Sequence, residues 1–169
     1  MGDINPEVLR VKSDIEKAFA DVTYPGDENL VHVQRPEDID VAVHFKGIKW
    51  QDWKDKPTQV LAKVSSGDLF LLSKEAYRYY LPIYMIQALI DYENAGLFID
   101  EIPFSLAPSS DKPYINKHVS QRISLMTTAQ LKAILAYLEF YKHKHGSKFD
   151  TPSIDDAITN IRQAIISNS

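Results

Sequence analysis

An uncharged, largely apolar run at residues 79–90, interrupted by Pro82, constrains the fold more than any other feature. At twelve residues the run is too short to span a bilayer, which takes ~20 apolar residues. Residues 83–90 are apolar almost all round at helical spacing, so they predict a helix at the centre of a bundle. Because Pro82 lacks an N–H and disfavours helical dihedrals at Leu81, we expect two helices, 73–80 and 82–93, that meet at a bend.

Amphipathic patterns predict further helices before this run. Asn5 is a good N-cap, and apolar residues at three- and four-residue spacing predict a helix that ends at about Ala20. A second helix is expected from Pro36 to Gly47, and its apolar stripe consists of Ile39, Ala42, Val43 and Phe45. Trp50 and Trp53, three residues apart, would anchor a helical turn to the core. A short helix at 58–64 and a brief extended run at 69–72 follow.

Clear capping signals occur in the second half of the chain. Thr127 and Gln130 have the spacing of a capping box, which predicts a helix that closes at Gly146. A shorter helix is expected at residues 115–123, and a last one begins at Thr151. Between the central run and these helices stand Pro103, Pro108 and Pro113, which predict an extended strap held down by Phe104 and Leu106. The predicted fold class is mainly α: one domain over residues 1–169, an irregular bundle of about six helices with a long proline-containing strap.

Composition and charge exclude several classes of protein. The chain has no cysteine, which rules out disulfide scaffolds, thiolate zinc sites and iron–sulfur clusters. Its net charge is −4, and residues 1–57 carry 12 acids and 8 bases, whereas 110–169 carry 5 acids and 8 bases. A nucleic-acid partner is not expected, because phosphate recognition requires a concentrated basic surface. The N-terminus shows no export or lipidation signal, so we expect a cytoplasmic protein without membrane association.

Motifs for metal binding and catalysis are missing. His143 and His145 lie two apart, so on a helix they point away from each other and cannot hold one ion. They are better explained as cations at a helix C-terminus that Gly146 closes. We therefore expect no metal and no cofactor. Pairs of acids could support acid–base chemistry if the fold raised one pKa, and these pairs are Asp27-Glu28, Asp100-Glu101 and Asp155-Asp156.

The segment with the most candidate site residues precedes Pro82. Helical spacing predicts a buried stripe formed by Tyr77, Tyr80, Leu81 and Tyr84, with Arg78 and Tyr79 off that stripe. In the favoured interpretation these groups form a polar network that locks the bend and ties it to an acid such as Asp27 or Glu28. In the alternative, Arg78, Tyr79 and Tyr80 line a ligand pocket with Asp27 or Glu28.

This segment also carries a resemblance to a known family. Its residues are Leu71-Leu72-Ser73-Lys74-Glu75-Ala76-Tyr77-Arg78-Tyr79-Tyr80-Leu81-Pro82, with an upstream Ala18-Phe19 helix, the turn Tyr24-Pro25-Gly26-Asp27 and the helix start Leu125-x-Thr127-x-x-Gln130. Together they resemble an uncharacterised bacterial family of small domains of unknown function with an E-A-[FY]-R-Y-Y-L-P signature. The resemblance implies a bacterial cytosolic protein with a mostly helical fold, and it implies no activity or site residues.

Three functional hypotheses follow. The leading one is a non-catalytic protein-interaction or regulatory module, of the small acidic kind that bacteria use to neutralise a partner protein, because catalytic signatures are missing and the front half is acidic. The alternative is a small enzyme or ligand-binding protein with a site near Arg78 and Pro82. A third is a purely structural subunit with a large apolar interface between copies. The sequence favours no particular partner, ligand or oligomeric state.

Overall fold

The computed structural model describes residues 2–32, 35–146 and 151–169. Within these ranges the chain forms α-helices joined by short turns, which confirms the mainly helical class. The helices are α1 (Pro6–Phe19), α2 (Pro36–Phe45), α3 (Pro57–Leu61), α4 (Asp68–Leu71), α5 (Lys74–Ile90), α6 (Glu101–Leu106), α7 (Pro113–Ser124), α8 (Thr128–His145) and α9 (Thr151–Ser167). An antiparallel bridge between Val31 and Leu72 lies outside any sheet. No helix in the described ranges is both long and apolar enough to cross a bilayer.

Helix α5 lies at the centre of the bundle, as its apolar pattern predicts. Thirteen of its seventeen residues are buried, and it packs against α1, α3, α7 and the turn at Trp50–Trp53. The predicted break at Pro82 is wrong, because α5 is one helix with the proline inside it. An interior proline costs a helix ~3 kcal/mol. Burial of apolar side chains on all faces of α5 outweighs that cost.

The capping signals mark the helix starts correctly. The Asn5 side chain accepts a hydrogen bond from the Glu7 N–H, which begins α1. Thr127 and Gln130 form the reciprocal capping box that begins α8. Helix α8 packs against both α1 and α9, so local hydrogen bonds that the sequence specifies fix the starts of two helices that pack together.

The predicted proline strap is partly helical. Residues 101–106 form α6, with Pro103 in its first turn, where a backbone N–H has no acceptor within the helix. Leu106 is buried as expected, but Phe104 is 45% exposed and does not hold the segment to the core. The extended run expected at 69–72 is also mainly helix, since α4 occupies it.

Helix α2 presents a different side to the core from the one its stripe predicts. Val41 and Phe45 are buried, whereas Ile39 is 47% and Val43 68% exposed. The ring of Phe45 packs on that of Tyr80, which fixes the rotation of α2. The apolar residues of α2 are spread too widely around the helix for all of them to face one neighbour.

Candidate functional site

The tyrosines before Pro82 are internal. Tyr77, Tyr80 and Tyr84 are fully buried, as the stripe predicts, and Tyr79 is buried as well, which the stripe did not predict. The Tyr80 hydroxyl lies 2.7 Å from the Ile48 carbonyl oxygen and 3.0 Å from that of Phe45. It therefore ties α5 to the end of α2, and burial raises the pKa of Tyr80 far above its usual range.

Asp27 reaches these tyrosines through Tyr24. The Tyr24 hydroxyl donates to Asp27 Oδ1 at 2.5 Å, and its ring meets the Tyr79 ring edge-on at 5.6 Å between centroids. The Gly47 N–H donates to both Tyr24 and Asp27. Glu28 takes no part in these hydrogen bonds and is exposed. The structure thus brings Asp27, but not Glu28, beside the tyrosines.

Arg78 points to a different neighbour. Its Nε donates to Gln130 Oε1 at 3.0 Å, and Gln130 Nε2 in turn donates to the Ala18 carbonyl. Arg78 therefore connects α5 with the start of α8 and the end of α1. Four cavities whose walls consist of described residues are lined by side chains other than Arg78, Tyr79, Tyr80, Asp27 and Glu28.

A cavity of about 720 Å³ lies between α4, α6 and α7. We call it the α6–α7 cavity. Its wall includes one side chain from α4, two from α6 and three from α7, namely Phe70, Glu101, Phe104, Tyr114, His118 and Arg122. Three of these are partly exposed aromatic rings: Phe70 is 36%, Phe104 45% and Tyr114 67% exposed. A concave site with aromatic walls and a few polar groups is typical of ligand-binding sites.

Arg122 is the buried cation of this cavity. It is 4% exposed, its Nη1 donates to the Ser105 carbonyl at 3.1 Å, and its guanidinium carbon lies 4.9 Å from the centre of the Tyr77 ring. Its Nε has no hydrogen-bond partner, and no carboxylate of the described residues forms an ion pair with it. Burial lowers the pKa of Arg122, and Tyr77 opposes that shift. An arginine nevertheless stays protonated in proteins, so the cavity wall holds a desolvated positive charge.

Glu101 is the buried acid of the same cavity. It is 7% exposed, and its Oε1 accepts hydrogen bonds from Ser66 Oγ at 2.6 Å and the Gly67 N–H at 2.5 Å. Its Oε2 is buried without a partner. Burial raises the pKa of Glu101. The nearby carboxylates of Asp68 and Asp100 raise it further, and the hydrogen bonds from Ser66 and Gly67 oppose the shift. The fold therefore perturbs one of the carboxylate pairs that the sequence singles out, Asp100-Glu101.

His118 adds a further basic group to the wall. Its ring lies 5.3 Å from that of His32, centroid to centroid. Burial lowers the pKa of His32. The neighbouring basic side chains of His118 and Arg122 lower it further. No three His, Asp or Glu side chains are grouped for a metal ion in the parts of the chain that the structure describes.

Arg122 is not among the site residues predicted from the sequence, although a signal for it exists. Val119 is buried on α7, and Arg122 follows it by three residues on the same side of the helix. A charged residue at a core-facing position of an amphipathic helix is uncommon unless it is paired. That position could have marked Arg122 as a candidate.

The architecture and the cavity define a small all-helical domain with one buried cation and one buried acid facing a common recess. The chain belongs to a family of unknown function, DUF6714, whose family model matches residues 8–163. This span contains all six side chains that define the α6–α7 cavity. Comparison with curated proteins and with solved structures gives no match.

Proposed function

We propose that the chain is a non-catalytic binding domain and that the α6–α7 cavity binds an organic anion with an apolar body. The burial of Arg122 without a carboxylate partner carries this proposal. An unpaired buried charge destabilises a fold by several kcal/mol. A carboxylate or phosphate from a ligand would supply the missing partner, and a guanidinium binds such groups through two parallel hydrogen bonds.

The aromatic side chains account for the apolar body of the ligand. Phe70 and Phe104 lie in the same wall as Arg122 and keep 36% and 45% of their surface exposed. Covering these rings with an apolar group would add to the affinity in proportion to the area removed from water. Binding is favoured over catalysis because the sequence contains none of the motifs of catalytic sites, and the His118 ring lies beside that of His32.

Thermal unfolding in the presence of small anions tests the proposal. The probes are 3-phenylpropionate and phenyl phosphate, with the uncharged 3-phenylpropanol as control. A ligand at a hundred times its dissociation constant stabilises by ~2.7 kcal/mol, which in a chain of this size raises the midpoint by about 5–10 °C. We expect this rise with at least one anion in the wild type and in Arg162→Met, and none in Arg122→Met.

Arg162 is the matched control because it is an arginine of α9 that pairs with Glu139 at the surface. Two results would contradict the proposal. One is that neither anion stabilises the wild type, and the other is that Arg122→Met is stabilised to the same extent.

A protein-interaction module is the second candidate, and one observation favours it. Ile39 and Val43 lie four residues apart on α2 and are both exposed, beside the acidic residues Glu37 and Asp40. Adjacent exposed apolar groups are typical of protein contacts. The partner would be a protein with an apolar contact surface, and the bacterial cytoplasm is the setting that the E-A-Y-R-Y-Y-L-P resemblance supports. Affinity capture with wild type and Ile39→Ser/Val43→Ser should then recover a protein that the double variant loses. Repeated captures without such a protein would argue against this candidate.

A further inference from the structure

Two opposite buried charges share the α6–α7 cavity, and each retains a polar atom without a partner. Arg122 leaves its Nε free, and Glu101 leaves its Oε2 free. The two side chains do not pair with each other, since neither forms an ion pair within the described residues. Building on the function proposed above, we propose that the ligand is zwitterionic: its anionic group binds Arg122, and its ammonium group binds Glu101.

The helix geometry of α6 sets the spacing between the two charges of the ligand. Arg122 Nη1 lies 3.1 Å from the carbonyl oxygen of Ser105, which follows Glu101 by four residues. Residues four apart lie on one face of a helix, ~6 Å apart along its axis. The Glu101 side chain leans toward the start of α6 and the Ser105 carbonyl points toward its end, so the two anchors are separated by more than one helical turn.

A dipeptide fits this separation better than a single amino acid. Two extended residues span at most ~7 Å, and a hydrogen bond of ~2.9 Å at each end extends the reach of a dipeptide well beyond one helical turn. The ammonium and carboxylate groups of an α-amino acid are bonded to one carbon atom, so they span a shorter distance between anchors than the two ends of a dipeptide do. An apolar side chain on the dipeptide would contact Phe70 or Phe104, which line the same cavity.

The other charged groups near the cavity do not replace these anchors. Asp111, Lys112 and Asp156 line its rim and are exposed, so water and salt screen them. His118 stands on the α7 wall and adds to the basic side. Asp68 and Asp100 add to the acidic surroundings of Glu101, which strengthens the attraction for an ammonium group.

Three matched peptides test the inference in calorimetric titrations. Gly-Phe carries both charges, N-acetyl-Gly-Phe lacks the ammonium group, and Gly-Phe amide lacks the carboxylate. Because a hydrogen bond to a charged group contributes ~1.5–3 kcal/mol, we expect wild type to bind Gly-Phe about tenfold or more tightly than N-acetyl-Gly-Phe. Gly-Phe amide should bind more weakly than Gly-Phe by at least a similar factor.

The variant Glu101→Gln should bind Gly-Phe and N-acetyl-Gly-Phe with equal affinity. That affinity should equal the one with which the wild type binds N-acetyl-Gly-Phe. Glutamine keeps an oxygen to accept the Ser66 and Gly67 hydrogen bonds, and unchanged binding of N-acetyl-Gly-Phe shows that the variant is folded. Glu139→Gln, at the α8 surface, is the matched control and should keep the preference for Gly-Phe.

The outcomes separate the two proposals. Two results would contradict the zwitterionic ligand without affecting the anion site. One is that the wild type binds N-acetyl-Gly-Phe as tightly as Gly-Phe, and the other is that Glu101→Gln keeps the preference for Gly-Phe. If no peptide and neither phenyl anion binds the wild type, both proposals fail.

Discussion

Replacement of Arg122 by methionine separates a binding role from a structural one. Methionine keeps the unbranched shape of the side chain and removes the charge. In the wild type the guanidinium donates to the Ser105 carbonyl and lies over the Tyr77 and Phe70 rings, at 4.9 and 5.8 Å from their centres. If these contacts hold the fold together, their loss should be visible as a large drop in the free energy of unfolding.

The opposing contributions can be weighed from typical magnitudes. The hydrogen bond from a charged donor is worth ~1.5–3 kcal/mol, and each cation–π contact ~0.5–2 kcal/mol. Against them stands the desolvation of a buried and unpaired cation, which costs several kcal/mol. The stabilising contacts and the desolvation cost nearly cancel. We therefore expect the free energy of unfolding of Arg122→Met to lie within about 1 kcal/mol of the wild-type value, or above it.

Urea denaturation in buffer without organic anions measures this difference. Leu131→Ala, in the fully buried part of α8, is the reference for a purely structural change and should lose about 2–5 kcal/mol. If Arg122→Met also loses about 3 kcal/mol or more, the guanidinium is a structural group, and the reasoning that assigns it to a ligand fails.

Three further predictions concern the buried polar groups. Tyr80→Phe should lose about 1–3 kcal/mol of unfolding free energy, because it leaves the Ile48 carbonyl without its donor and the Phe45 carbonyl with only the Ile48 N–H. Tyr79→Phe should lose less, and equal losses in urea denaturation would count against this. Gln130→Ala should lose about 2 kcal/mol or more of unfolding free energy, since the glutamine side chain forms hydrogen bonds with Arg78, Thr127 and Ala18. A loss of less than half that amount would show that these hydrogen bonds are dispensable. The raised pKa of Glu101 implies that its contribution to stability is complete below pH 4.5 and is lost as the pH rises through the higher folded-state pKa. As the pH is raised from 4 to 7, Glu101→Gln should therefore become more stable relative to the wild type. A difference in the free energy of unfolding that does not change with pH in urea denaturation would refute this.

Local signals explain which parts of the fold were predictable. The starts of α1 and α8 depend on hydrogen bonds between residues two or three apart, which the sequence displays directly. The central position of α5 follows from its apolar composition. The break predicted at Pro82 is wrong because the local penalty of a proline is visible in the sequence, whereas the packing that offsets it comes from several other elements.

The rotation of α2 and the position of the cavity depend on tertiary packing. Ile39 and Val43 match the apolar pattern as well as Val41 does, and tertiary contacts such as that between Phe45 and Tyr80 decide which side is buried. The α6–α7 cavity draws its wall from segments that are far apart in the chain. No spacing rule connects such segments, so Arg122 and Glu101 could be found separately in the sequence but not as one site.

The signal of the Arg122 Nε–H group in a ¹H–¹⁵N spectrum reports on the central claim most directly. This N–H has no partner in the structure, so an anion that binds the guanidinium should change its environment. The account predicts that titration with 3-phenylpropionate shifts this signal along a saturable curve, while the Nε–H signal of Arg162 at the surface stays in place. An Arg122 signal that does not move at a large excess of the anion, or that moves no more than that of Arg162, would contradict it.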